Sequence, residues 1–180
     1  AALASGLDPY DSAHTCESGA PYLDDSMPDP PLEPTALTEA GAEYFVSDWG
    51  VGFTIKPQYE TYRVFYTKDE YSDTLRFGET TDSACLPYGD AMGIYLSKGD
   101  FEADFTEEMP YYLTKGSFSL GVLSGNTYRE GWFGGDILTY AFSFKNTAFH
   151  AGSLACPLGE EGCTELEPEA FVKSLLSTLH

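Results

Sequence analysis

The sequence predicts a mainly β fold, an antiparallel sandwich or small barrel, with one amphipathic helix at the C-terminus. From Tyr44 onward, apolar residues alternate with polar or small ones at a period of two, which is typical of half-buried strands. These runs follow one another closely with no helical pattern between them, which favours antiparallel pairing. At the end of the chain, Phe171, Leu175 and Leu179 recur at helical spacing. The alternative is an α+β arrangement around one antiparallel sheet.

The strands are expected as short runs separated by turn residues. They lie at 51–55, 62–66, 75–77, 92–97, 118–122 and 138–144. Lys98-Gly99 predicts a two-residue hairpin turn followed by a strand at 100–105, and residues 124–126 predict a further turn. An alanine-rich stretch at 35–43 predicts a short helix. Pro168 suits the first turn of the C-terminal helix.

The chain divides by composition into an N-terminal arm and a body. Residues 1–55 contain ten of the 29 acidic residues and none of the nine lysines and arginines. Within them, residues 24–34 include four prolines, which remove backbone donors and restrict φ. We therefore expect an extended acidic arm over 1–43, tied to the body through Cys16. A single β-rich domain with the C-terminal helix is expected over 44–180.

The formal net charge of −20 limits the partners that the protein can bind. Such a charge repels polyphosphate, which excludes binding to nucleic acid or to an anionic membrane face by counterion release. No apolar run approaches the roughly 20 residues of a transmembrane helix. The acidity suits a basic partner, and the alternative is that it reflects adaptation to high salt, in which case the charge serves solvation.

The four cysteines indicate two disulfides in an exported protein, either secreted or at the cell surface. Four cysteines allow three pairings. The short polar loop between Cys156 and Cys163 favours that pair, which leaves Cys16 for Cys85. The small residues at 1–5 resemble those around a signal-peptidase site and agree with export. The alternative is four reduced, buried thiols in a cytosolic protein.

An alternation of acidic and apolar residues over 100–105 predicts a candidate cation site. As a strand it places Asp100, Glu102 and Asp104 on one face at steps of about 6.6 Å. Like charges at this spacing repel, so the face needs water, a basic partner or a cation. Calcium takes oxygen ligands from carboxylates, so these three residues are its candidate ligands. The alternative is a solvated strand face in an acidic protein.

The sequence contains none of the common catalytic motifs. It has no G-x-S-x-G elbow, H-E-x-x-H helix, phosphate-binding G-x-x-x-x-G-K loop or EF-hand loop. Two carboxylates about 5 to 9.5 Å apart would serve a glycoside hydrolase, and Glu102 and Glu108 are the first pair to consider. A non-catalytic role is the interpretation that we favour.

The aromatic content indicates a binding surface. The chain has 13 tyrosines, 12 phenylalanines and two tryptophans. Rigid amphipathic rings on loops anchor sugars by stacking and proteins as hot spots. The candidate ligand-binding residues are Trp132, Tyr111, Tyr112 and Tyr128. The alternative is that the tyrosines line the sheet edge with their hydroxyls in water.

These observations predict an exported, non-catalytic binding module that recognises a protein, glycan or small ligand through aromatic loops and acidic strands. One alternative is an extracellular glycan hydrolase that uses a carboxylate pair. A second alternative is an acidic inhibitor or immunity-type protein that covers a basic enzyme.

Overall fold

The structure is a computed structural model that describes residues 16, 17, 19, 20, 22, 23, 31–87, 93–101, 113–132 and 135–180, the side chains of Leu113 and Trp132 excepted. The described chain is mainly β, with two antiparallel sheets and one C-terminal helix, as predicted. No helix in this part of the chain is long and apolar enough to span a bilayer.

The smaller sheet has three strands in the order β1-β2-β3, and the larger has seven in the order β4-β5-β6-β10-β9-β8-β7. The strands of the smaller sheet are β1 (Ala36–Thr38), β2 (Gly41–Val46) and β3 (Val51–Ile55). Those of the larger sheet are β4 (Tyr62–Lys68), β5 (Asp73–Glu79), β6 (Ile94–Lys98), β7 (Leu113–Leu120), β8 (Leu123–Trp132), β9 (Gly135–Phe144) and β10 (Thr147–Ala155). The helix is α1 (Glu167–Leu176), with Pro168 in its first turn.

The core lies between the two sheets and α1 in a sandwich-like arrangement. Phe53 of β3 meets Phe77 of β5 with ring centroids 5.7 Å apart, and Phe77 meets Phe171 of α1 at 5.3 Å. All three side chains are fully buried. The apolar residues whose alternation predicts the strands are therefore the residues that fill this core.

A side-chain hydrogen bond links the β2–β3 turn of the smaller sheet to the larger sheet. The carboxylate of Asp73 in β5 accepts from Trp49 Nε1 at 2.8 Å and from the Tyr66 hydroxyl at 2.7 Å. Trp49 lies in the turn between β2 and β3, whereas Tyr66 belongs to β4. Burial, followed by the Asp73 hydrogen bond and charge, raises the pKa of Tyr66 above its ordinary value.

The predicted hairpin at Lys98-Gly99 is wrong. Strand β6 pairs with β5 on one side and with β10 on the other, so both of its edges are occupied by strands other than the one expected after the turn. The Gly99 N–H instead donates to the Ala148 carbonyl at 2.8 Å, and the chain then leaves the sheet. Asp100 and Phe101 are not in a strand.

The predicted helix at 35–43 is also wrong, because this segment forms β1 and the beginning of β2. Long-range pairing decides its structure: Ala36 pairs with Glu43, and the Thr35 N–H donates to the Glu43 carbonyl at 2.8 Å. Local helix propensity is too weak to compete with such pairing. Strand β1 lies within the predicted arm and β2 crosses its expected boundary with the body, so residues 36–38 and 41–43 belong to the smaller sheet.

The position of the turn before β8 and the existence of β10 both differ from what the sequence predicts. The predicted turn at 124–126 lies inside β8, and the actual turn uses Gly121, whose φ is 61°. Strand β10 was not predicted at all. It follows a tight turn at Lys145 and Asn146, both with positive φ, and its inward residues are mostly small.

Two disulfides join Cys16 to Cys85 and Cys156 to Cys163. This is the pairing that loop length favours. The described parts of the N-terminal segment also contact the body: Pro31 forms a β-bridge with Phe65 of β4, and the Leu32 N–H donates to the Val64 carbonyl at 2.9 Å.

Candidate ligand-binding groove

The larger sheet has a second face, opposite the core, which we define by the side chains that alternate with the buried ones. In β10 the core residues Phe149 and Ala151 flank His150, which points the other way. The cross-strand pairs of β6, β8, β9 and β10 extend this face. On these four strands its described members are Tyr95, Ser97, Ser124, Asn126, Tyr128, Glu130, Ile137, Thr139, Ala141, Ser143, Ala148, His150, Gly152 and Leu154.

Four rings form a continuous row across this second face, and we call it the aromatic row. Tyr95 meets His150 at 5.7 Å between ring centroids, His150 meets Phe101 at 5.6 Å, and Phe101 meets Tyr128 at 5.1 Å. Lys115 of β7 then places its Nζ 5.6 Å from the centre of the Tyr128 ring. The row therefore runs from β6 across β10 to β8, with a lysine at its end.

Phe101 is the one member of the row that does not lie on a strand, and its position is set by Gly99 and His150. The Gly99 N–H bonds to Ala148, as described above, while its carbonyl lies 3.1 Å from His150 Nδ1. A carbonyl oxygen can only accept, so Nδ1 carries the proton of the neutral ring. Two hydrogen bonds to β10 thus hold the chain where it leaves β6 and direct Phe101 onto the second face.

Burial lowers the pKa of His150 below its ordinary value. The hydrogen bond to the Gly99 carbonyl and the charge of Asp100 act in the opposite direction. Burial is the largest effect, because a charged imidazolium loses water contacts between the rings of Tyr95 and Phe101. The pKa of His150 therefore responds to charges near the aromatic row.

Tyr95 is held rigidly at the other end of the row. Its hydroxyl lies 3.3 Å from Thr139 Oγ1, and burial raises its pKa. Its ring lies over Gly152, where an added Cβ would come within 2.5 Å of the ring carbon. Only glycine leaves room for the Tyr95 ring at this position, so the glycine in β10 determines where the ring lies.

A groove of about 500 Å³ opens beside the row. Phe101 and Tyr128 supply rings, Asp100 supplies a carboxylate, and Asn126 supplies an amide that can donate and accept. The remaining lining residues are Ser124, Gly125, Ala141, Phe142, Ser143, Ala148 and Phe149. The volume lies within the range of roughly 300 to 1,000 Å³ that is usual for small-molecule sites.

The structure places two of the predicted site residues together at this groove. Tyr128 belongs to the aromatic row, and Asp100 is exposed at the groove. Trp132 ends β8, with its side chain outside the described residues. Five predicted residues lie wholly outside them: Glu102, Asp104, Glu108, Tyr111 and Tyr112. The calcium site and the carboxylate pair therefore stay predictions.

Sequence reasoning missed Phe101, His150 and Asn126. Asn126 and Tyr128 stand two apart in one strand, so a correct boundary for β8 would have placed both on one face. Phe101 and His150 carry no such local signal. They meet because β6 and β10 are neighbours, which depends on pairing between residues some fifty positions apart in sequence.

The other polar clusters of the described chain support the fold. Asp136 accepts from the Leu158 N–H at 3.0 Å and lies 3.4 Å from Arg129 Nη1, which fixes the loop closed by the second disulfide. Lys173 of α1 contacts Glu165 at 2.6 Å and Glu169 at 2.8 Å. Cys16, Asp82 and Cys85 lie close together, but both sulfurs are in a disulfide and cannot bind a metal as thiolates.

Comparisons of the chain with protein-family models, with curated proteins and with solved structures give no match.

Proposed function

We propose that the protein is a non-catalytic binding module that takes a small ligand, or one group of a larger ligand, in the groove of the second face. The observation that carries this proposal is the aromatic row beside a concave site of about 500 Å³. The rings of the row are half-buried, and aromatic rings with a few polar groups beside them are the usual composition of ligand sites.

The rigidity of the site supports binding. Tyr128 and His150 lie on central strands, and Phe101 is fixed by the two hydrogen bonds of Gly99. Side chains that are ordered before the ligand arrives lose little conformational entropy on binding. A site of this kind can reach useful affinity with few contacts.

Binding is better supported than hydrolysis by the described lining of the groove. That lining contains one carboxylate, Asp100, whereas a glycoside hydrolase needs two. The His150 proton on Nδ1 is engaged by the Gly99 carbonyl. The described groups can therefore orient a ligand through contacts and hydrogen bonds.

The two disulfides support a place for this module outside the cytosol. Both cysteine pairs are oxidised, and disulfides persist in secreted and cell-surface proteins. We propose export on this ground. The ligand would then be an extracellular molecule or an exposed group on an extracellular partner.

A screen by nuclear magnetic resonance tests the proposed function. The ¹⁵N-labelled protein is mixed with sugars, amines, amino acids and carboxylic acids at millimolar concentration, and amide shifts are recorded. We expect at least one class of compound to move the amides of Ser124, Asn126, Tyr128 and Ala141. The Tyr128→Ala and Asn126→Ala variants should weaken this binding.

The Tyr71→Ala variant is the matched control for Tyr128→Ala. Tyr71 is 91% exposed in the turn between β4 and β5, on a different part of the larger sheet. Its removal should leave binding unchanged. Shifts that cluster away from the groove, or no shifts with any class of compound, would show that the groove is not a ligand site.

A further inference from the structure

We infer that the ligand of the groove carries an organic ammonium group, held by the carboxylate of Asp100 and by the faces of Phe101 and Tyr128. This inference rests on the proposed function and adds the chemical class of the ligand.

The charge of the groove favours a cation. Asp100 is the one charged side chain among the described residues that line it. The whole chain carries a formal net charge of −20, so the surrounding potential attracts cations and repels anions. A carboxylate or phosphate ligand would meet repulsion from Asp100 with no described basic group in the lining to balance it.

The aromatic rings of the groove provide a second source of attraction for a cation, besides the carboxylate of Asp100. The rings of Phe101 and Tyr128 meet at 46°, and both residues line the groove together with Asp100. Aromatic faces attract cations through the ring quadrupole, and sets of aromatic side chains recognise quaternary ammonium groups in this way. A nearby carboxylate adds direct Coulomb attraction.

The chain itself already places an ammonium group on one of these rings. Lys115 Nζ lies 5.6 Å from the centroid of Tyr128, within the distance at which a cation–π contact forms. Lys115 is not among the groove-lining residues, and its side chain is exposed. The Tyr128 ring therefore already takes part in a cation–π contact, and Lys115 would compete with a ligand cation for this ring and repel it.

Isothermal titration calorimetry with a pair of probes tests the inference. One probe is choline, and the other is its uncharged carbon isostere, in which a tert-butyl group replaces the trimethylammonium group. The two have nearly the same shape, so a difference in affinity reports the charge. We expect choline to bind at least about tenfold more tightly, which corresponds to about 1.4 kcal/mol.

Three variants test which residues cause the difference in affinity between choline and its isostere. Asp100→Asn should weaken choline binding about tenfold and leave the isostere unchanged. Glu161→Gln, which removes one exposed acid in the loop of the second disulfide, should change choline binding less than about twofold, because exposed charges at a distance are screened. Lys115→Met should strengthen choline binding about two- to fivefold, since it removes a competing cation from Tyr128.

The outcomes separate the inference from the proposed function. Equal binding of choline and its isostere at the groove, unchanged in Asp100→Asn, would overturn the ammonium assignment and leave a binding groove. Failure of choline to bind, while sugars or carboxylic acids move the groove amides, would overturn it as well. Failure of every compound to move those amides would overturn both.

Discussion

The ring of Phe101 lies against the ring of Tyr128, with centroids 5.1 Å apart and planes inclined at 46°. This contact joins the segment that leaves β6 to a strand that is three positions away in the larger sheet. It also forms the wall of the groove that we propose as the ligand site.

Replacing Phe101 with alanine should weaken both the fold and the groove. Phe101 contacts two rings, His150 and Tyr128, and each aromatic pair contributes about 0.5–1.5 kcal/mol beyond its area burial. We expect the free energy of unfolding, measured in urea, to fall by about 1–3 kcal/mol. Phe45→Ala, at a side chain that is 48% exposed on β2, should change it by less than about 0.5 kcal/mol. Equal losses in the two variants would contradict the role of the aromatic row.

His150 should make stability depend on pH in the weakly acidic range. Burial lowers the pKa of the folded-state imidazole, so the unfolded chain binds the proton more readily. Stability is then highest above the ordinary pKa of about 6.5 and falls as the pH drops through that value towards the lower folded-state pKa. Tyr95 stays neutral in this range, because the ordinary pKa of tyrosine is about 10 and burial raises the pKa of Tyr95 further.

The measurement is a series of urea unfolding curves between about pH 8 and about pH 5 for the wild type and for His150→Gln. The wild type should lose stability relative to the variant as the pH falls, since glutamine does not titrate. Curves that stay parallel, or a wild type that gains relative stability in acid, would contradict the position of His150 between Tyr95 and Phe101.

Asp136 should be more important for stability than a surface carboxylate. It and Arg129 are mostly buried, and its side chain also accepts from the Leu158 N–H. Asp136→Ala would leave Arg129 without its counterion and should lower the free energy of unfolding by about 3 kcal/mol. Asp48, which pairs with Lys68 at the surface, is the control, and Asp48→Ala should cost less. A smaller loss for Asp136→Ala than for Asp48→Ala would refute this assignment.

The two disulfides should contribute unequally. The Cys16–Cys85 bond closes a loop with a sequence separation of 69, against seven for Cys156–Cys163. Loop-closure entropy predicts stabilisation of about 4 kcal/mol for the first and about 2.5 kcal/mol for the second. Urea unfolding of the paired serine variants measures both values, and a larger loss from removing Cys156–Cys163 would contradict the ranking.

Much of the fold could be predicted from local pattern. Four strands bury one of their faces, so apolar residues recur in their sequences with a period of two, which can be recognised without a structure. These are the strands that contain Val51, Val64, Leu75 and Tyr140. Strand β10 could not be predicted in this way, because small residues such as Ala151 occupy its buried positions. The buried and outward positions therefore differ little in hydrophobicity.

The errors have a common physical cause, which is that long-range pairing overrides local preference. Lys98-Gly99 has the composition of a hairpin turn, but β5 and β10 already occupy both edges of β6. The groove depends on the same pairing, because Phe101 reaches Tyr128 only after β10 is placed beside β6. Tyr128 and Asp100 could be selected by residue type, whereas their meeting at one groove could not.

Titration of His150 by proton NMR, with and without saturating choline, tests the central claim most directly. A cation in the groove beside Asp100 offsets the carboxylate charge that favours protonated His150. We predict that choline lowers the pKa of His150. A His150 pKa that does not move, or that rises, would contradict the placement of an ammonium ligand in this groove.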